Sequence, residues 1–174
     1  MKNFINQELI FFKYLDINLL TYIISGVVVI LFIFNFFKNR IYLFALLTLP
    51  ATLFHELSHF IISLITGGMP RGLSIWPQKS ENGYTLGYVE SYNVTWFNAF
   101  LIGFAPILLI PIAYIFLKYN VVYDNNPFSL SWKIYLLASL IEGSIPSITD
   151  ISLAIKKSLF LIWFIFIFIG ITYF

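Results

Sequence analysis

Cysteine is absent from the 174 residues of this chain, and charged residues are scarce, at 10% of the total. The absence of cysteine excludes disulfide bonds and thiolate-ligated zinc, and it gives no information on the redox compartment. A net charge of only +2 argues against a nucleic-acid partner. Hydrophobic residues make up 60% of the chain, which is more than one small core can bury. The composition therefore predicts an integral membrane protein whose partner is the lipid bilayer.

Five apolar stretches have the length of transmembrane helices or nearly so. They cover residues 17–37, 41–66, 97–117, 132–155 and 158–174, of which the last is short and could cross or insert partly. Residues 1–16 contain Glu8, Lys13 and Asp16, so they predict an amphipathic segment at the membrane surface and not a cleavable signal peptide. The expected fold is an all-α polytopic membrane protein with one domain, residues 1–174.

A polar segment between the second and third predicted spans has strand character. Residues 73–76 and 84–89 flank a turn that contains Asn82-Gly83, a strong hairpin signal. We therefore predict a short β-hairpin at the membrane surface. Its free edge could accept an extended peptide as an added strand, or the segment could be an ordinary surface loop.

The second predicted span contains the motif His55-Glu56-Leu57-Ser58-His59, and these are the only two histidines of the chain. Residues four apart lie on the same face of a helix, so both imidazoles can bind one metal ion beside Glu56 as a general base. The alternative is a pair of packed helix histidines. Ionisable groups inside a bilayer are costly and usually functional, which favours the metal site.

A catalytic zinc ion usually has three protein ligands and one open position. With both histidines used, the third ligand must be a carboxylate, and the candidates are Glu8, Asp16, Glu81, Glu90, Asp124, Glu142 and Asp150. Only Glu142 and Asp150 lie within a predicted span. Between them, Gly143 and Pro146 predict either a broken helix that lines a polar cavity or a simple proline kink.

The HExxH motif in one span and a proline-containing segment ending in aspartate in a later span resemble the site-2 protease family of intramembrane zinc metalloproteases. In that family the later motif begins with asparagine and ends at a ligand aspartate eight residues on. Asp150 matches this aspartate, whereas Glu142 replaces the asparagine and Ile151 replaces a glycine. Gly103 and Pro106 loosely match a Gly-Pro element of the family. The resemblance covers residues 41–155, the expected catalytic core.

The resemblance implies an intramembrane endopeptidase that cleaves transmembrane segments of membrane-bound substrates. One zinc ion per chain would be held by His55, His59 and Asp150, and Glu56 would move the proton. Glu142 would hydrogen-bond the substrate, support a histidine or act as a fourth carboxylate near the metal. Pro146 would lie in the wall of the path by which water reaches the site.

Other functions remain open at this point. They are a metal-binding membrane protein without peptidase activity, a small carboxylate-lined transporter, and a metal-dependent hydrolase of lipids. The abundance of isoleucine, phenylalanine, asparagine and lysine is typical of an AT-rich microbial genome, and we expect a multi-pass protein of a prokaryotic cell membrane. The sequence does not define the substrate or the oligomeric state.

Overall fold

The structure is a computed structural model and describes residues 16–80 and 83–173. Residues 1–15 of the predicted surface segment, with Glu8, lie outside the described residues, as do Glu81 and Asn82 of the predicted turn. The described chain is mostly helical, as predicted. Its helices are α1 (Ile17–Phe37), α2 (Ile41–Leu47), α3 (Leu49–Ile65), α4 (Asn98–Gly103), α5 (Leu109–Phe116), α6 (Pro127–Gly143) and α7 (Ile148–Tyr173). A 3-10 turn, Ala105–Leu108, joins α4 to α5, and a π-helical turn, Leu117–Val121, follows α5.

Two segments are long and apolar enough to cross a membrane, namely Ile17–Phe37 and Pro127–Ser158, the second of which runs from α6 into α7. Helices α2 and α3 make a third if the bent pair counts as one span. The presence of five membrane spans therefore stays a prediction. The stretch predicted as 158–174 is part of α7, which contains a kink at Ser158 (φ −109°, ψ 15°).

The predicted span 41–66 is interrupted at Thr48, where α2 and α3 meet at an angle of 74°. Pro50 explains the break, because it has no N–H for the carbonyl of Leu46 and disfavours helical geometry at the residue before it. The carbonyl of Leu47 accepts a hydrogen bond of 2.7 Å from the hydroxyl of Tyr135 on α6. The bend is therefore held by the helix on which α3 packs.

Helix α6 lies at the centre of the fold, with α1, α3 and α5 packed against it, while α7 packs mainly on the short helix α4. The apolar core lies between α1, α5 and α6 and is formed by Ile23, Leu109, Ala113, Val121, Leu130, Ile134, Leu137 and Leu140. This arrangement brings the C-terminal end of α6 and the start of α7 to the side of α3 that carries the two histidines.

The predicted hairpin is present as an antiparallel ribbon in two parts. Strand β1 (Pro70–Ser74) pairs with β4 (Tyr88–Ser91), and β2 (Gln78–Ser80) pairs with β3 (Gly83–Thr85). Residues 75–77 and 86–87 interrupt the pairing. The ribbon packs along α3, where the hydroxyls of Ser63 and Ser91 are 2.7 Å apart.

Candidate metal centre

One face of α3, together with Thr48 directly before it, carries a continuous row of buried polar side chains. Its members recur every three or four residues, which is the spacing of one helix face, and they are Thr48, Thr52, Glu56, His59 and Ser63. His55 lies beside this row and is half-buried. The motif predicted from sequence therefore faces the interior of the fold.

The side chains of His55, His59 and Asp150 meet at one point. The Nε2 atoms of the two histidines are 3.2 Å apart. Asp150 places one carboxylate oxygen 3.3 Å from Nε2 of His55 and the other 3.4 Å from Nε2 of His59. Among the described residues, this is the group of ligand-type side chains that could hold one metal ion.

The other ring nitrogen of each histidine faces a backbone carbonyl. Nδ1 of His55 is 2.9 Å from the carbonyl oxygen of Gly143, and Nδ1 of His59 is 2.7 Å from that of Ile102. A carbonyl oxygen can only accept, so each Nδ1 carries the proton and each Nε2 presents a lone pair. Such a hydrogen bond on the far nitrogen is the usual support of a metal-ligating histidine.

Both carbonyls can face the histidines because helices end at these places. In a continuing helix the carbonyl of Ile102 would accept from residue 106, but Pro106 has no N–H. The carbonyl of Gly143 would accept from Ser147, whose N–H instead donates to the carboxylate of Asp150 at 2.8 Å. Pro146 lies in this link and prevents α6 from continuing into α7. The two breaks in the helices therefore supply the supports of the two histidines.

Asp150 is fixed by a capping box at the start of α7. Ser147 precedes the first helical residue, and its hydroxyl accepts from the N–H of Asp150 at 3.2 Å while its own N–H donates to the Asp150 carboxylate. This reciprocal pair satisfies two N–H groups at the helix start. It also orients the carboxylate before any metal binds.

Gly103 allows α7 to approach the centre. A Cβ atom at this position would lie 2.5 Å from the carbonyl oxygen of Asp150 and 2.8 Å from Cβ of Ala154. Only glycine fits such a contact without displacing the backbone. The same turn of α4 thus supports His59 through Ile102 and admits Asp150 through Gly103.

The donor set fits a zinc ion. Bonds of about 2.0–2.1 Å to a tetrahedral zinc place neighbouring ligand atoms about 3.3–3.4 Å apart, close to the separations of the three ligand atoms here. One divalent cation satisfies all the converging lone pairs, whereas a single proton satisfies only one pair. The side chains of His55 and Asp150 are 16% and 17% exposed, so the centre keeps an open side, as a catalytic zinc site requires.

Comparison with protein-family models, with curated proteins and with solved structures finds no match.

Glu56 is buried on the same face and interacts electrostatically with His55, His59 and Asp150. The turn between β3 and β4 covers it. A Cβ atom on Gly87 would lie 2.8 Å from Cγ of Glu56 and 2.8 Å from Cγ2 of Thr52. The ribbon therefore touches the motif helix at the proposed general base.

The other carboxylates predicted as candidates do not join the group formed by His55, His59 and Asp150. Glu142 is half-buried in the last turn of α6, one residue before the carbonyl that supports His55, and its carboxyl has no hydrogen-bond or ion-pair partner among the described residues. It is not one of the ligand-type side chains that converge. Of the remaining carboxylates, Asp16 accepts from Asn18 and Asp124 pairs with Lys133, while Glu90 lies exposed on β4.

Sequence reasoning missed four residues that organise the centre, namely Ile102 and Gly143, whose carbonyls accept from the histidines, together with Ser147 and Gly87. Ser147 could have been found, because Ser-x-x-Asp ahead of an apolar run is a capping-box signal. The other three act through backbone atoms or close packing and leave no side-chain signature.

Proposed function

We propose that this protein is a metal-dependent endopeptidase of the membrane that cleaves transmembrane segments of other proteins. The observation that carries the proposal is the convergence of Nε2 of His55, Nε2 of His59 and the Asp150 carboxylate at metal-ligand spacing, with Glu56 buried beside them. Two imidazoles, one carboxylate and a neighbouring glutamate form the donor and base set of zinc peptidases.

Each residue of the centre has a separate role in the proposed mechanism. A zinc ion held by His55, His59 and Asp150 would supply Lewis-acid activation of water and of the scissile carbonyl. Glu56 accepts one proton from the attacking water as the C–O bond forms, and returns it to the amide nitrogen as the C–N bond breaks. The Gly143 and Ile102 carbonyls keep both imidazoles in the tautomer that exposes Nε2.

The β ribbon would present the substrate. In a helix the peptide bonds are engaged in their own hydrogen bonds, so a transmembrane segment must unwind locally before cleavage. Within the described chain β1 and β4 pair only with each other, which leaves each with an open edge. An extended peptide can pair with such an edge, and the contact of Gly87 with Glu56 brings the ribbon next to the proton-transfer group.

The membrane setting is part of the proposal. Two or three helical segments have the length and apolarity of spans, and we propose a multi-pass protein of a prokaryotic cell membrane with the five spans predicted from sequence. The row of buried polar side chains on α3 would then lie within the bilayer. Residues of this kind at membrane depth usually mark a functional site.

A metal-binding protein without peptidase activity is the main competing function. A purely structural site needs no base, so the buried Glu56 favours a hydrolase. The half-buried carboxyl of Glu142, which has no partner among the described residues, would also suit a carboxylate-lined carrier. A cleavage assay distinguishes a peptidase from a metal-binding protein without activity and from a carrier.

The test uses the zinc-loaded full chain in bilayers with a panel of single-span substrates. The wild type is expected to cleave at least one of them, and Glu56→Gln to reduce the rate at least about a thousandfold while keeping the metal. Asp16→Asn, at the exposed start of α1 and away from both the ribbon and the metal centre, is the control and should cleave normally. Equal rates for wild type and Glu56→Gln would contradict the proposed role of Glu56.

A further inference from the structure

Thr52 is an exception among the threonines that lie in the helices of the described chain or directly at their ends. Thr21, Thr48 and Thr172 donate their hydroxyls to the carbonyl four residues earlier, at 2.7, 2.8 and 3.0 Å. Thr66 does the same at the end of α3, at 2.7 Å, and Thr149 bonds the Ser147 hydroxyl. The Thr52 hydroxyl has no hydrogen-bond partner among the described residues, although the residue is only 9% exposed.

The position of Thr52 makes this exception relevant to the site. It precedes His55 by three residues and Glu56 by four, so it lies one turn away on the same buried face of α3. Its methyl group and the Cγ of Glu56 are both at the contact with Gly87. The hydroxyl is not fully enclosed, in contrast to that of Ser158, so a ligand can reach it.

A polar group buried without a partner costs free energy, and such groups usually pair with a ligand or with water. The back-bonding geometry used by the other helix threonines is available in α3, as Thr66 shows by donating to the carbonyl of Ile62. In Thr52 the methyl group instead faces the ribbon and the hydroxyl is left free. Thr52 thus contacts the ribbon one turn from Glu56 and keeps a hydroxyl that can bind a ligand.

We propose that the Thr52 hydroxyl donates a hydrogen bond to a backbone carbonyl oxygen of the peptide bound next to Glu56. The inference rests on the proposed function, and it makes Thr52 a substrate-binding residue. Backbone recognition suits an enzyme whose substrates are unwound transmembrane segments of varied sequence. It would hold the extended peptide against α3 while the ribbon holds it from the other side.

The experiment measures binding and does not depend on turnover. Two probes are titrated into the zinc-loaded full chain: N-acetyl-leucyl-alanine hydroxamate, which carries peptide carbonyls, and acetohydroxamate, which carries only the metal-binding group. Thr52→Val keeps the shape and removes the hydroxyl, and Thr52→Ser keeps the hydroxyl. Thr48→Val is the matched control, because that hydroxyl is already bonded to the carbonyl of Phe44.

We expect Thr52→Val to weaken the peptidyl probe about tenfold, the effect of one hydrogen bond, and to leave acetohydroxamate unchanged. Thr52→Ser should bind within about twofold of the wild type, and Thr48→Val should match it. Metal content is measured in every variant. These results together would support the assignment.

Three outcomes would overturn it: equal binding of the peptidyl probe by wild type and Thr52→Val, equal weakening of both probes, or no preference of the wild type for the peptidyl probe. Failure of the proposed function is recognised separately. In that case the zinc-loaded wild type cleaves no substrate, whether or not Thr52 discriminates between the two probes.

Discussion

The two ends of α6 each carry a cluster of polar side chains, and the clusters differ in how their groups are satisfied. At the N-terminal end, Asp124 pairs with Lys133, and Asn126 caps the N–H groups of Phe128 and Ser129. All of these residues lie within ten positions of one another. At the C-terminal end, the groups that meet come from α3, α4, α6 and α7.

The two clusters differ in charge and in whether hydrogen-bond donors face acceptors or acceptors face one another. In the N-terminal cluster a cation faces an anion, and the capping amide accepts from N–H groups, so it is complete as it stands. In the C-terminal cluster two imidazole lone pairs and a carboxylate point at each other. A metal cation between them would satisfy all three groups. We therefore propose that the second cluster binds a metal, whereas the first has its partners without one.

Apart from substitution of His55, His59 or Asp150 themselves, Gly103→Ala is expected to have the largest effect on zinc affinity and stability. The new methyl group would collide with the backbone of α7 at Asp150, so it should destabilise the fold by about 1–3 kcal/mol and weaken zinc binding at least about tenfold. Gly72→Ala is the control, because its nearest contacts would be at an ordinary 3.7 Å. Zinc titration and thermal unfolding of both variants measure the effect. Unchanged zinc affinity in Gly103→Ala would show that the approach of α7 does not position Asp150.

Ser147→Ala should have a smaller effect. It removes the capping hydroxyl that accepts from Asp150, at a cost of about 1 kcal/mol in stability. Because the capping box also orients the carboxylate, zinc affinity should fall a few-fold. Ser131→Ala removes an exposed hydroxyl that bonds within α6 and should leave zinc affinity unchanged. Identical zinc titrations for the two variants would argue against the orienting role.

The smallest effect is expected at the other end of α6. The hydrogen bonds from Lys133 and Ser129 and from the N–H of Asn126 lower the pKa of Asp124 from 3.8 to about 2. A carboxyl whose pKa is lower in the folded state stabilises the fold above its unfolded pKa, and this contribution is lost as the pH falls from about 4 to about 2. Above about pH 4 the wild type should therefore melt at most a few degrees higher than Asp124→Asn. This difference should shrink as the pH falls from about 4 to about 2. A difference that stays constant with pH would contradict the assigned pKa.

The sequence predicted which side chains form the C-terminal cluster. It predicted much less of the geometry that holds them in place. The spacing of His55, Glu56 and His59 places them on one face of any helix, so it could be read directly. Asp150 was predicted through its resemblance to a family motif, and the structure brings it to the histidines. The helical class and the hairpin also followed from apolar runs and from Asn82-Gly83.

The rest depended on tertiary packing. The supports of the histidines are backbone carbonyls of Ile102 and Gly143, and a carbonyl has the same chemistry in every residue. Pro50 and Pro106 could have marked the breaks in the predicted spans 41–66 and 97–117, but high apolarity favoured continuous helices there. The contact of Gly87 with α3 joins segments that are distant in sequence, and no local pattern encodes it.

The central claim is that the C-terminal cluster binds a metal and the N-terminal cluster does not. The direct measurement is the metal content of the purified full chain after zinc loading and removal of excess metal, for wild type, Asp150→Ala and Asp124→Ala. We predict about one zinc per chain in the wild type and in Asp124→Ala, and a loss of most of it in Asp150→Ala. No zinc in the wild type, or equal zinc in Asp150→Ala, would contradict the account.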